Sequence, residues 1–328
     1  MTDTEVPGLV RLPARDIPMP SSISPAAQAQ MAAQIAQQRA APDGPAFPPM
    51  EDKAAWRAHA AAMDQGLVPL LQAISPEAGA RAETREIAGV PVFDITPGTA
   101  VADDRTVVLD FHGGGLFLCG GDLCRLMASG VATRLQRRVW SVDYRMPPDH
   151  PYPAALDDCV AAYRALLEER SPKEIVVHGA SAGGNLAAAA VLSARDEGLP
   201  LPAGVILHTP EVDLTESGDS FQTNRGLDTN LRSLMPVNLL YANGQDLGHP
   251  YLSPLFGDFS TGFPPTCLTT GTRDLYLSNT VRMHRALRKA GVRAELHVVE
   301  AGGHGGFAMA PEGEEINQEF RLFVASVL

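Results

Sequence analysis

One short motif places a serine at the point where a predicted strand turns into a predicted helix. The motif is GASAG at residues 179–183, between the β-rich run at 174–178 and an apolar helical stretch that begins at Gly184. Its two glycines carry no Cβ atoms that would collide in so tight a turn, which leaves the hydroxyl of Ser181 projecting from the sheet. A serine in this position can act as a nucleophile in covalent catalysis.

A second motif, HGGG at residues 112–115, directly follows the β-rich run at 106–111. The tetrahedral intermediate of acyl transfer carries negative charge on an oxygen, and backbone without side chains lets amide N–H groups approach that oxygen to about 3 Å. Three consecutive glycines can also form a merely flexible loop, but the position after a strand favours anion binding. We predict that Gly114, with Gly113 or Gly115, and Ala182 form an oxyanion hole.

A serine hydroxyl is a weak nucleophile at neutral pH, so Ser181 needs a general base. Among the nine histidines, His304 has the expected placement, because it lies in the glycine-rich loop at 301–306 after the last predicted strand. We therefore predict His304 as the base. The others fall on helices, at strand ends, in the HGGG motif or outside such loops: His59 and His284; His178 and His208; His112; and His150, His249 and His297.

The base in turn needs a carboxylate that orients it. Asp274 comes a few residues after the β-rich run at 266–270 and is the predicted acid. The resulting chain order of serine, acid and histidine is the order found in hydrolases built on a parallel sheet. The rival carboxylates are Asp258, Asp213 and Glu300, which are ordinarily read as solvated surface groups.

These residues need elements that bring them together, and the chain predicts an α/β fold in which strands and helices alternate. Such alternation is typical of a mostly parallel sheet with helices on both faces, whose ligand crevice lies beyond the carboxyl ends of the strands. The predicted strands are 106–111, 138–143, 174–178, 204–208, 266–270 and 295–299, and the predicted helices are 153–168, 184–196, 278–289 and 312–327.

Two regions stand outside this alternation. Residues 1–82 contain helical stretches at 25–40 and 52–74, and we predict an N-terminal helical region separate from a catalytic domain at 83–328. About sixty residues separate the predicted strands at 204–208 and 266–270, which is too long for a simple crossover. We interpret residues 211–250, helical around 229–241, as an excursion that forms a lid together with the N-terminal helices.

Composition excludes several functional classes. The chain has 328 residues, with 26 Lys and Arg against 38 Asp and Glu, so its formal net charge is −12. Binding to a phosphate backbone needs a basic surface, and we expect no nucleic-acid partner. The longest apolar run, 186–192, is far shorter than the ~20 residues that cross a bilayer, and the first residues lack the pattern of an export signal.

The four cysteines form neither a dense disulfide framework nor a CxxC pair, so we expect free and mostly buried thiols. Free thiols are typical of a reducing compartment, which predicts a cytoplasmic protein without membrane insertion. The residues are Cys119, Cys124, Cys159 and Cys267.

With these motifs in place, residues 85–325 resemble the bacterial hormone-sensitive-lipase-like esterases, also called family IV carboxylesterases, of the α/β-hydrolase superfamily. The resemblance implies the α/β-hydrolase fold, a triad of Ser181, Asp274 and His304, and a helical cap built largely from the N-terminus. It also raises the possibility of a homodimer through the strand at 295–299. The matching strings are HGGG at 112–115, DYR at 143–145 with Pro148, HPYPAAL at 150–156, SAGGNL at 181–186 and SPLF at 253–256.

The chain departs from the family pattern at three positions. Ala180 stands where aspartate is common, and Asp149 stands where glutamate is usual. At the predicted acid the family commonly has Asp-Pro, whereas Leu275 follows Asp274 here.

The expected function is a serine carboxylesterase that hydrolyses short- to medium-chain acyl esters through an acyl-enzyme, with no metal or organic cofactor. A lactonase with the same triad and a non-catalytic ligand-binding receptor on a hydrolase scaffold are the alternatives. Epoxide hydrolases of this fold use an aspartate nucleophile, and the motif here has serine. Residues 116–119 either line the acyl pocket or pack in the core, and the sequence does not distinguish the two.

Overall fold

The computed structural model describes residues 10, 13–41, 44–75, 80–100 and 104–328, which form one sheet surrounded by helices. The strands are β1 (Arg81–Ile87), β2 (Val90–Thr96), β3 (Val107–Phe111), β4 (Arg138–Val142), β5 (Ile175–Ala180), β6 (Gly204–His208), β7 (Thr266–Gly271) and β8 (Ala294–Val299). The helices are α1 (Pro25–Ala40), α2 (Lys53–Ile74), α3 (Asp122–Leu135), α4 (Ala154–Glu169), α5 (Ala182–Asp196), α6 (Ser220–Thr223), α7 (Met235–Ala242), α8 (Leu277–Lys289) and α9 (Pro311–Val327).

The strand order is β1-β2-β4-β3-β5-β6-β7-β8. The six strands from β3 to β8 run parallel, while β1 and β2 pair in the antiparallel sense. The predicted fold, a mostly parallel sheet flanked by helices, is therefore confirmed. Because parallel strands end at the same edge of a sheet, the segments that follow β3, β5, β7 and β8 meet there.

The core lies on both faces of this sheet. Every residue of α5 from Ala182 to Ala194 is buried, because the helix packs under the sheet between neighbouring elements. The apolar run at 186–192 is thus a core segment, and no described helix is long and apolar enough to cross a membrane. The four cysteines are free and buried, as their spacing predicted.

The hairpin of β1 and β2 and the helix α3 were not predicted from the sequence. The residues of β1 are nearly all exposed, so the strand carries no apolar alternation and is held by pairing with β2. Helix α3 buries Ser129 and Gly130 among its apolar residues, which obscures the helical periodicity. The predicted domain boundary at residue 83 falls within β1.

The two N-terminal helices contact different parts of the chain that follows them. Helix α1 buries Ala27 and Met31 against the segment that follows β8, including Phe307. Helix α2 buries Trp56 in a cluster with Phe117 and with residues of α7. The excursion at 211–250, which contains α6 and α7, therefore shares an apolar cluster with α2.

Candidate active site

The turn from β5 into α5 holds Ser181 in a backbone conformation that residues other than glycine rarely adopt. Its φ is 55° and its ψ is −122°. The flanking glycines are required by space, because a Cβ on Gly179 would lie 2.0 Å from the carbonyl oxygen of Gly183, and one on Gly183 would lie 1.8 Å from that of Phe111. The turn is fixed from β6, since the N–H of Ser181 donates to the carbonyl of His208 at 2.9 Å.

The HGGG loop lies directly beside this serine. A Cβ on Gly113 would be 3.5 Å from the Cβ of Ser181. Gly114 has a φ of +121°, and its carbonyl accepts the N–H groups of Phe117 and Leu118, which folds the loop into a turn. Ala182 is the first residue of α5, where N–H groups have no acceptor within the helix and favour an anion. Two of the predicted oxyanion-hole residues, Gly113 and Ala182, thus lie next to Ser181.

His304 reaches Ser181 from the loop after β8. Its Nε2 lies 2.8 Å from the Oγ of Ser181, and its Nδ1 lies 3.3 Å from Oδ1 of Asp274. With a proton on Nδ1 directed to Asp274, Nε2 is free to accept the hydroxyl proton of Ser181. The ring of Tyr276 meets the imidazole edge-on, with centroids 4.9 Å apart.

Asp274 is fully buried and is held by Thr270 at the end of β7 and by the backbone that follows the acid. Its Oδ2 accepts a hydrogen bond from Thr270 Oγ1 at 2.8 Å, and its Oδ1 accepts one from the N–H of Tyr276 at 2.8 Å. These bonds orient one oxygen towards the imidazole of His304. The structure therefore brings together the three residues that the sequence singled out.

The rival acids lie in other environments. Asp213 is buried but is bound by Thr215, Ser217 and the guanidinium of Arg282. Asp258 accepts hydrogen bonds from Ser260, and Glu300 is exposed.

Three of the other histidines make local contacts that suit a structural role. His178 Nδ1 lies 2.6 Å from Oδ1 of Asp110, and His208 Nδ1 lies 2.6 Å from Oγ1 of Thr269. His112 stacks on Tyr144 with centroids 4.0 Å apart.

The imidazole of His304 is stabilised as a cation by the carboxylates around it. Burial disfavours the charged ring, but the hydrogen bond and charge of Asp274, and the charges of Asp228 and Glu211, raise its pKa above the ordinary value for histidine. A neutral His304 can act as a base, so the raised pKa restricts the neutral form to higher pH.

Two of these carboxylates were not predicted from the sequence. Asp228 is 1% exposed, and its Oδ2 accepts N–H groups from Leu275 at 2.8 Å and from His304 at 3.2 Å. Asp228 lies in the excursion, 46 residues before Asp274 in the chain, and no local motif marks it.

Glu211 is the second, and it lies beneath the nucleophile. Its N–H donates to the carbonyl of Ser181 at 3.1 Å, and its side chain is 1% exposed. Neither carboxylate oxygen has a hydrogen-bond partner within the usual distance among the described residues, although the side chains of Tyr276 and Asn238 face it. Burial raises the pKa of Glu211 to about 7.

Two groups of side chains in the described part of the chain could hold a metal ion. One is His112, Cys124 and Asp143, and the other is Cys267, Glu295 and His297. Neither group includes Ser181, His304 or Asp274.

Comparison with known proteins gives consistent matches. Residues 108–308 match a family model described as alpha/beta hydrolase fold. An acetyl-hydrolase of Streptomyces hygroscopicus is 36% identical over 216 residues, which cover 62% of this chain and 71% of that protein. A carboxylesterase of Mycobacterium tuberculosis is 35% identical over 207 residues, covering 60% of this chain and 65% of that protein.

Solved structures extend the similarity to nearly the whole chain. The crystal structure of one esterase has a TM-score of 0.87 and 36% identity, and the match covers 98% of this chain and 99% of the other. An esterase from the bacterial hormone-sensitive lipase family has a TM-score of 0.78 and 30% identity, with coverage of 93% and 98%.

Proposed function

The chain belongs to the bacterial hormone-sensitive-lipase-like esterases of the alpha/beta hydrolase fold and is a carboxylic ester hydrolase, and from this premise we propose that Ser181 is its nucleophile, His304 its general base and Asp274 the acid that orients the base. One observation carries the proposal: Nε2 of His304 lies 2.8 Å from Oγ of Ser181, although the two residues are 123 positions apart in the chain.

The proposed reaction proceeds in two acyl-transfer steps. Oγ of Ser181 attacks the ester carbonyl carbon while Nε2 of His304 takes the hydroxyl proton. The tetrahedral intermediate then expels the alcohol, which takes that proton from His304. Water attacks the resulting acyl-serine with His304 again as base, and the carboxylic acid leaves as Ser181 regains its proton. These steps use protein groups and water alone.

We propose that the oxyanion is bound by backbone N–H groups of Gly114, of Gly113 or Gly115, and of Ala182. The proposal is supported by the proximity of Gly113 to Ser181 and by the position of Ala182 at the start of α5. Each such donor is worth about 3 kcal/mol of transition-state stabilisation.

We further propose that the helices of residues 1–82 and the excursion at 211–250 form a cap over the acyl site. Supporting contacts link α2 to the segment after the HGGG loop. Oδ1 of Asp64 accepts the N–H of Cys119 at 2.9 Å, and Trp56 meets Phe117 edge-on at 5.9 Å. The substrates that we propose are small esters with short- to medium-length acyl chains, and the similarity to an acetyl-hydrolase supports the short end of this range.

The test is hydrolysis of p-nitrophenyl esters of increasing acyl length by the wild type and by Ser181→Ala. We expect turnover to fall at least about 10⁴-fold in the variant, by analogy with other serine hydrolases. A variant that keeps more than about a tenth of wild-type turnover would exclude Ser181 as the nucleophile. Lactones tested in parallel distinguish a lactonase, and tight binding of a small ligand without any hydrolysis would favour a receptor.

A further inference from the structure

One stretch of the excursion, residues 220–230, lies against both loops that carry the proposed acid and base. We call it the clamp segment. Ser220 Oγ donates to the carbonyl of Leu275 at 2.6 Å, and Asn224 Nδ2 donates to the carbonyl of Asp274 at 2.8 Å. Asn230 Nδ2 donates to the carbonyl of His304 at 2.9 Å. The clamp segment therefore holds the backbone of both residues of the proposed acid and base pair.

The carboxylate of Asp228 lies at the centre of this arrangement. Its Oδ2 accepts the N–H of Leu275, directly after Asp274, and also the N–H of His304 itself. Its Oδ1 accepts the N–H groups of Asn230 and Leu231 at 2.9 and 3.1 Å, which fixes the carboxylate on its own segment. A single oxygen atom thus joins the acid loop to the base loop.

We propose that Asp228 is a positioning residue for ester hydrolysis, whose carboxylate holds the loop of Asp274 and the loop of His304 at the separation that aligns the imidazole on Ser181. This inference rests on the proposed function. Under this proposal the excursion aligns the acid and the base in addition to covering the substrate.

The geometry explains why the alignment needs such support. The contact between Nδ1 of His304 and Oδ1 of Asp274 is 3.3 Å, at the long end for an N–H···O hydrogen bond. A small separation of the loops would break it, and a displacement of about 1 Å in an active site can cost about 10²-fold in rate. Hydrogen bonds to a buried carboxylate are stronger than those between neutral groups, which suits Asp228 to this task.

The residue after the acid supports the same interpretation. A proline at this position would have no N–H to donate. Leu275 provides the donor, so this chain can form the hydrogen bond to Asp228, whereas a chain with proline at that position could not.

The charge of Asp228 provides a second readout. Asp274, Asp228 and Glu211 raise the pKa of His304, and His304 in turn contributes to lowering the pKa of the neighbouring His208. Removing the charge of Asp228 should lower the pKa of His304. Replacing a residue that supports the fold at a distance from the imidazole would not move this value in a folded variant.

The experiment compares Asp228→Asn with Asp219→Asn, its matched control. Asp219 lies directly before the clamp segment, is exposed and makes no capping hydrogen bond with its side chain. Asparagine at 228 keeps one acceptor oxygen, but its NH₂ group faces two N–H donors. We expect kcat for a p-nitrophenyl ester to fall about 10- to 100-fold with KM within about 3-fold, and the acid limb of the kcat/KM profile to move to lower pH. Asp219→Asn should match the wild type.

The outcomes separate this inference from the proposed function. A folded Asp228→Asn with wild-type kcat and an unmoved acid limb, in an enzyme that Ser181→Ala inactivates, overturns the positioning role alone. An active Ser181→Ala overturns the proposed function itself. If Asp228→Asn does not fold, Leu275→Pro decides, because proline has no N–H to donate to Oδ2 of Asp228, while the carboxylate and its charge stay in place. We expect kcat to fall about 3- to 10-fold in that variant, and wild-type kcat would overturn the inference.

Discussion

Replacing Glu211 by glutamine should make the folded protein more stable above neutral pH. The unfolded chain releases the proton of a glutamate near pH 4.5, whereas burial raises the pKa of Glu211 in the folded protein to about 7. Between these values the folded state keeps a proton that the unfolded state has lost, so the free energy of unfolding falls as pH rises. Above pH 7 the free energy of unfolding is about 3 kcal/mol lower than it would be if Glu211 had its ordinary pKa in the folded protein.

Glutamine removes this loss because it does not ionise. Its amide suits the site, since its NH₂ can donate to Oδ1 of Asn238 and its oxygen can accept from the hydroxyl of Tyr276, two buried atoms that have no partner among the described residues. Urea unfolding at pH 5, 6, 7 and 8 gives the difference in free energy between Glu211→Gln and the wild type. We expect this difference to increase by about 2–3 kcal/mol in favour of the variant across that range.

The control is Glu315→Gln on α9, which makes the same substitution at an exposed side chain, and the pH dependence of the Glu211→Gln difference is measured relative to it. A difference for Glu211→Gln that is constant relative to this control from pH 5 to pH 8 would refute the reasoning. It would mean that the carboxyl group of Glu211 already ionises in the folded protein near its ordinary pKa.

Two further predictions concern the reaction. The acid limb of kcat/KM should lie above the pH at which an ordinary imidazole titrates, because Asp274 and its neighbours raise the pKa of His304, and a pH-rate profile with a midpoint below about 6.5 would contradict this. Gly114→Ala should lower kcat about 10²- to 10³-fold, because the new Cβ would lie 2.4 Å from the carbonyl oxygen of Leu118 and displace a proposed oxyanion donor. The control is Gly89→Ala, at a position that also has a positive φ but has open space around it. This control measures the effect of backbone strain alone and should keep wild-type kcat.

The sequence predicted the fold and the meeting of Ser181, Asp274 and His304 for a topological reason. Each residue follows a parallel strand, and parallel strands end at one edge of the sheet. A motif or loop next to a strand is visible in the sequence, so these positions could be identified without knowing how the helices pack. Their chemical roles stay predictions until the variants are measured.

Asp228 and Glu211 could not be found in this way. Their environment depends on how the excursion folds back over the sheet, and the sequence predicted only that such an excursion exists. Asp228 meets the N–H of His304 across 76 residues of chain, and nothing in the residues around it marks the contact. The hairpin of β1 and β2 was missed for a different reason, because its first strand is held by backbone pairing and not by an apolar face.

The backbone of Ser181 sets stability and activity against each other at one position. A residue other than glycine at a φ of 55° and a ψ of −122° costs about 1–3 kcal/mol, which the rest of the fold must supply. Glycine would occupy the same turn without that cost but has no hydroxyl. A relative of this protein that had lost its activity would therefore be more stable with glycine in place of this serine. We expect the serine to persist only where selection maintains turnover.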